Sequence, residues 1–168
     1  MRLGLFVYGK LKTPGLREAA DYYQRLIKTW TPIEETELKP FPVPEKHPKI
    51  RAQIQDKEGR QLLERLSSSK AEASGRNRVF LLDETGKTKS TLDWANWIKS
   101  WEIESVPSVT FCIGSSLGFS NEVRQHSSGL ISLSPQTLSH ELARVVLLEQ
   151  LYRALSVVKG HPYHNEGS

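Results

Sequence analysis

The chain has 168 residues, 38% of them hydrophobic and 25% charged, which suits one globular domain with a real core and excludes a disordered or fibrous polypeptide. No apolar run approaches the roughly 20 residues of a membrane helix, and MRLGLFVYGK lacks the apolar length and cleavage pattern of a signal peptide. A single cysteine, Cys112, rules out an internal disulfide and points to a reducing compartment, with the cytoplasm as the expected location.

Residues 2–9 (RLGLFVYG) form a short apolar run stopped by glycine, as in a buried strand. Thr13-Pro14 supplies an N-cap and a proline at the first helical position. Leu16, Ala19, Tyr23, Ile27 and Trp30 then follow at spacings of three and four, an amphipathic helix that Pro32 closes. Residues 33–39 read as a half-exposed strand. PFPVPEKHP (40–48) has four prolines in nine residues, so it is neither helix nor central strand but a stiff, extended surface connection.

A basic helix over 49–67 places Ile50, Ile54, Leu62, Leu63 and Leu66 on its apolar side, and SSSKAEASGRN (67–77) is a turn-forming connector. The net charge of +4 concentrates around this helix: Lys46 to Lys89 holds 11 Lys and Arg against 6 Asp and Glu. This is the stretch expected to meet a polyanion, although a solvated helix face explains the charge alone.

Buried strands follow at 78–83 (RVFLLD), 108–114 (SVTFCIG) and 130–134 (LISLS), with helices over 91–101 and from Ser120 to about Gln125 between them. Ser139 caps a last helix over 140–159. There are no repeats. Strands alternating with helices define a single α/β domain over 1–168 with a mostly parallel sheet.

The last helix is apolar on most sides. Its polar residues after the first turn gather at Glu149, Arg153, Ser156 and Lys159. One sheet covers one face, so the other face is expected to meet a second copy of the chain. Gly160 suits the C′ position and Pro162 stops continuation.

Several segments could carry chemistry. CIGSSLGFS (112–120) runs from a strand into a glycine turn, where open α/β sheets bind ligands, but it is neither GxGxxG nor GK[ST]. SPQTLSH (134–140) offers backbone groups beside a helix N-terminus, suited to a small polar ligand such as a purine; a plain connecting loop is the other reading. His161 and His164 do not complete a metal site with one buried cysteine, so no metal is expected. Tyr163 could stack on a base or anchor the tail. Arg153 lies one turn from Glu149, a spacing that a surface ion pair also explains. Asp83 and Glu84 end a strand, where they are either functional or turn-capping.

Taken together, these segments resemble the 23S rRNA (pseudouridine-N3)-methyltransferase family of the knotted SPOUT superfamily. The resemblance spans the whole chain. It is carried by LGLFVYGKLK, DKEGRQLL (56–63), RVFLLDETGK, CIGSSLG and, above all, SHELARVVLLEQLYRALSVVKGHPYH. It implies a SPOUT-type α/β fold with a deep C-terminal trefoil knot, an obligate homodimer, and S-adenosylmethionine (S-adenosyl-L-methionine) as cofactor. The implied substrate is a pseudouridine of 23S rRNA in the assembled 70S ribosome, with no membrane partner. Matched by position, the cofactor residues are Leu82, Gly114, Ser115, Ser134, Pro135, Gln136, Thr137, Leu138 and Ser139. The resemblance places Tyr163 and His164 near the methyl group, approached from the partner subunit, and the expected catalytic set adds His140 and Arg153, with Arg153 and Tyr163 positioning the base or a neighbouring phosphate. The base that removes the imino proton is His140, His164 or water.

Three positions depart from the family's pattern. Serine replaces the second glycine at 115, at a cost of about 1 kcal/mol or more if that site needs φ > 0 or backbone contact with the ligand. Ser139 stands where proline is common, and Asn165 where a basic residue is usual. The alternatives are a non-catalytic ribosome-associated binding factor of the same fold and a methyltransferase acting on another RNA such as tRNA.

Overall fold

Five parallel strands run in the order β2-β1-β4-β3-β5 through the computed structural model, which describes residues 1–44, 47–68 and 75–162. The strands are β1 (Arg2–Tyr8), β2 (Ile33–Leu38), β3 (Arg78–Thr88), β4 (Ser108–Ile113) and β5 (Gly129–Ser132). The helices are α1 (Pro14–Lys28), α2 (Pro48–Ser68), α3 (Thr91–Ile103), α4 (Asn121–His126) and α5 (His140–Val158). Part of the expected connector after α2, and Tyr163 and His164, lie outside the described residues.

The central strand β4 is buried at every position, as a strand covered on both faces must be. One sheet face packs Leu3, Leu5, Val7, Phe111 and Ile131 under α1, α3 and α5. The other packs Phe6, Tyr8, Leu81 and Cys112 under α2 and α4, with Leu62, Leu66, Phe119 and Val123 closing that core.

The caps are local. Ser90 and Asp93 form a reciprocal capping box on α3, and Ser120 Oγ and Ser139 Oγ accept from the backbone of Val123 and Leu142 at the starts of α4 and α5. Thr13 holds the N-cap position of α1 without capping through its side chain; its backbone N–H instead donates to Glu141 of α5 at 3.1 Å.

Three expectations change. β5 ends at Ser132, two residues early, because Ser132 Oγ donates to the Ser134 carbonyl and begins a turn. β3 does not stop at Asp83 but resumes pairing at Lys87. Helix α5 gains more cover than a sheet alone provides, since α1 and α3 flank it on either side. Ser156 is therefore buried, donating to the Arg153 carbonyl, and leaves the expected polar stripe. What remains half-exposed on α5 is a band that includes Val145, Val146, Glu149 and Arg153, with Leu142 more exposed beside it.

Candidate active site

The site is built where β3, β4 and β5 end. The regular register of β3 with β4 finishes at Leu82 opposite Ile113. Against β5, however, both Leu82 and Lys87 face Ile131, so residues 83–86 leave the sheet and return to the same partner. Gly86 makes this possible: a Cβ there would lie 2.6 Å from the backbone N and C of Ile131.

The excursion is tied on two sides. Asp83 accepts from Thr85 N–H at 2.9 Å and Thr85 Oγ1 at 2.6 Å, and it pairs with Arg124 of α4 at 2.5 Å. Partial burial works against this carboxylate's charge, yet the Thr85 and Arg124 bonds hold its pKa below the usual range. Thr137 Oγ1 donates to Glu84 at 2.7 Å, joining the excursion to the loop before α5.

The β4 turn follows a different logic. Gly114 sits under Phe119 and Gly118, where a Cβ would come within 3.3 Å of the phenyl ring, and Gly118 takes a left-handed φ of +69°. Ser115 does not: among the described residues the one non-glycine residue with positive φ is Ser105. The strain considered for serine at 115 is therefore absent. Its hydroxyl instead donates to Glu58 at 2.5 Å and accepts from Leu117 N–H at 3.1 Å. Gln55 Nε2 fastens the same turn through the Leu117 carbonyl at 2.6 Å.

These segments enclose a cleft of about 650 Å³, within the size range of small-molecule sites. Leu82, Gly114, Ser115, Ser134 and residues 136–140 all line it, so the structure gathers most of the residues matched by position into one place. Pro135 belongs to the same loop but does not line the cleft. Asp83, Glu84 and Arg124 add the charged part of its wall. Cys112 lies buried beneath, its thiol pKa pushed up by that burial, and is an inert core group.

Arg153 is elsewhere. It donates from Nε to Glu149 at 2.9 Å, the ion pair that its spacing allows, and it does not line the cleft. Thirteen residues of helix separate it from His140, about 20 Å along the axis. The chain beyond α5 is held at that far end: Gly160 takes φ +65°, His161 N–H donates to the Ser156 carbonyl at 2.9 Å, and the His161 ring meets Trp30 edge-on at 5.5 Å. Trp30 in turn stacks on Tyr152 at 5.2 Å.

Glu58 is the functional candidate that sequence reasoning missed. A signal was present: Ile54, Glu58, Leu62 and Leu66 share one row of a helix at spacings of four, so a carboxylate sits in the buried row. Arg124 was also missed, and nothing in its local sequence distinguishes it from a surface arginine.

A parallel α/β sheet with its ligand cleft at the strand carboxyl ends is the architecture of a small-molecule-binding enzyme domain. The family model for "Predicted SPOUT methyltransferase" matches residues 1–164, and the chain belongs to this methyltransferase family. It is 37% identical to the ribosomal RNA large subunit methyltransferase H of Syntrophotalea carbinolica over 98% of this chain and 99% of that one. It is 35% identical to the protein of the same name from Kosmotoga olearia, at the same coverage of both. The solved SpoU methyltransferase AviRb from Streptomyces viridochromogenes, in complex with AdoMet, is similar over 90% of this chain and 57% of its own, with 10% identity and a TM-score of 0.45. Among the described residues no helix is long and apolar enough to cross a membrane, and no group of His, Cys, Asp and Glu is arranged to hold a metal ion.

Proposed function

We propose that the protein methylates N3 of a pseudouridine in 23S rRNA of the assembled 70S ribosome, using S-adenosylmethionine and acting as a homodimer whose C-terminal half is knotted. The observation that carries this reading is the convergence of Leu82, Gly114, Ser115 and the 134–140 loop on one cleft, in a chain nearly colinear with large-subunit rRNA methyltransferases.

The cleft fits the cofactor. Its volume suits a nucleoside-sized ligand, the open glycine turn lets backbone approach closely, and the 134–139 loop offers backbone groups beside the α5 N-terminus. S-adenosylmethionine supplies an electrophilic methyl group when bound. The chain must hold the target base in line and accept its imino proton. His140 lines the cleft and is one candidate acceptor. His164 and water remain the other acceptors.

Arg153 is too far along α5 to serve its own cleft. In a dimer built on the half-exposed band of α5, it and the segment containing Tyr163 and His164 would serve the cleft of the second copy. The exposed cations of α2 (Lys49, Arg51, Lys57, Arg60 and Arg65) supply a face for RNA phosphates. Ser115 has no left-handed φ, so backbone strain at that position does not favour the reading as a non-catalytic binder.

The test is tritium transfer from labelled S-adenosylmethionine to unmethylated 70S ribosomes, with free subunits and tRNA alongside. Counts in 23S rRNA of whole ribosomes alone support the reading. Counts in tRNA, or none in any RNA from folded protein, refute it. Sedimentation equilibrium giving twice the chain mass checks the dimer, and a monomer would refute that part.

A further inference from the structure

Glu58 is 2% exposed, and among the described residues no lysine or arginine forms a salt bridge with it. A buried carboxylate of this kind stays in place only if its oxygens are hydrogen-bonded. They are, to two different parts of the molecule. Oε2 accepts from Ser115 Oγ in the cleft turn at 2.5 Å, and Oε1 accepts from Phe41 N–H in the proline-rich segment at 3.0 Å. The Tyr8 hydroxyl donates to the backbone carbonyl of Glu58.

We propose that Glu58 is a positioning residue that couples occupancy of the cleft to the proline-rich segment around Phe41. The inference rests on the proposed function in taking S-adenosylmethionine as the cleft's ligand. The geometry leaves the carboxylate little freedom. The next residue, Gly59, presses on α4 so closely that a Cβ would lie 2.3 Å from Ser120 Oγ, which keeps this turn of α2 from sliding.

Phe41 is held twice, since Lys57 Nζ also lies over its ring at 5.2 Å. Pro40, Pro42 and Pro44 stiffen the chain on both sides, so a displacement at Phe41 is carried along the segment instead of being absorbed. A ligand that shifts Ser115 must stretch or tighten one arm of a planar group whose other arm holds Phe41. The coupling is reciprocal: RNA that orders the 40–44 segment would strengthen cofactor binding by the same factor.

The test uses the full chain with ¹⁵N-phenylalanine, following hydrogen exchange at the Phe41 amide with and without saturating S-adenosylmethionine, with binding verified by calorimetry. In the unaltered protein, exchange is expected to change by about fivefold on saturation, the low end of inter-site coupling. At cofactor concentrations that calorimetry shows to saturate the variant, Ser115→Ala should lose that response, although its Phe41–Glu58 bond is intact. Glu58→Gln can still accept from Phe41 and donate to Ser115, so it should keep most of the response that Glu58→Ala abolishes. An undiminished response in Ser115→Ala, or none in the saturated unaltered protein, overturns the coupling alone. Absence of cofactor binding to the unaltered protein overturns the proposed function and the coupling together.

Discussion

Gly86→Ala is the sharpest test of how the cleft is held open. The added methyl would lie 2.6 Å from the backbone N and C of Ile131 and 2.7 Å from the carbonyl carbon of Leu130. These are backbone atoms of β5, so no side chain can swing aside. Either residues 83–86 move outward or β5 separates from β3, and both routes disturb the Leu82, Lys87 and Thr88 pairings with Ile131 and Ser132. Overpacking against movable neighbours costs about 1–3 kcal/mol, and against fixed backbone the upper end applies. At about 2–4 °C per kcal/mol for a chain of this size, the melting temperature should fall by roughly 6–12 °C. Because Asp83 and Glu84 are anchored to Arg124 and Thr137, cofactor affinity should fall as well. Gly15→Ala is the control: beyond its chain neighbours and its own helix backbone nothing lies within 4 Å of the added Cβ, and its helical site should gain stability or stay unchanged. Thermal melts of the two variants by circular dichroism decide the matter. A Gly86→Ala protein melting within 2 °C of the parent, with unaltered cofactor affinity, would refute the close-approach argument.

Arg144 is fully buried and donates to Glu35 at 2.6 Å, Glu37 at 2.8 Å and the Gly9 carbonyl at 2.9 Å. Arg144→Met leaves two carboxylates facing each other and should cost about 3–5 kcal/mol, read as a lower urea midpoint. The same network sets an acid response. Burial opposes the Glu37 charge, but bonds from Arg144 and Arg17 and from Leu11 N–H bring its pKa from the ordinary 4.5 down to about 2. Its contribution is therefore complete above about pH 4.5 and fades as the pH falls toward 2. Glu35 moves the other way, raised by burial despite Arg144 and Arg17, and partly offsets it. Urea midpoints measured across that interval should fall steadily in the parent and less steeply in Arg144→Met; parallel curves would contradict the assignment. Ser139→Ala removes the α5 cap and should lower stability by about 1 kcal/mol, checked by thermal melts, with cofactor affinity reporting whether the 134–139 loop loosens with it.

The elements were legible because their causes are local. Proline after threonine, the serine caps of α4 and α5, apolar residues every third or fourth position in α1 and the unbroken apolar run of β4 are set by neighbours within a few residues. The stretches that line the cleft were also legible, through the resemblance of RVFLLDETGK, CIGSSLG and the last helix to a known family. Ser115 shows the limit of that route. Read as a substitution, it implied possible strain; in three dimensions it is an unstrained donor to a residue 57 positions away.

By itself, then, the sequence determined where most helices and strands lie, that the sheet is mostly parallel, and which loops stand at strand ends, since periodicity and capping act over one or two turns. Tertiary structure alone decided the rest. The return of β3 to Ile131, the burial of Arg144 between Glu35 and Glu37, the flanking of α5 by α1 and α3, and the bridge from Phe41 through Glu58 to Ser115 join residues distant in the chain. Such contacts follow from how hydrogen-bonding groups and volumes meet once the sheet has closed, and no local pattern encodes those meetings.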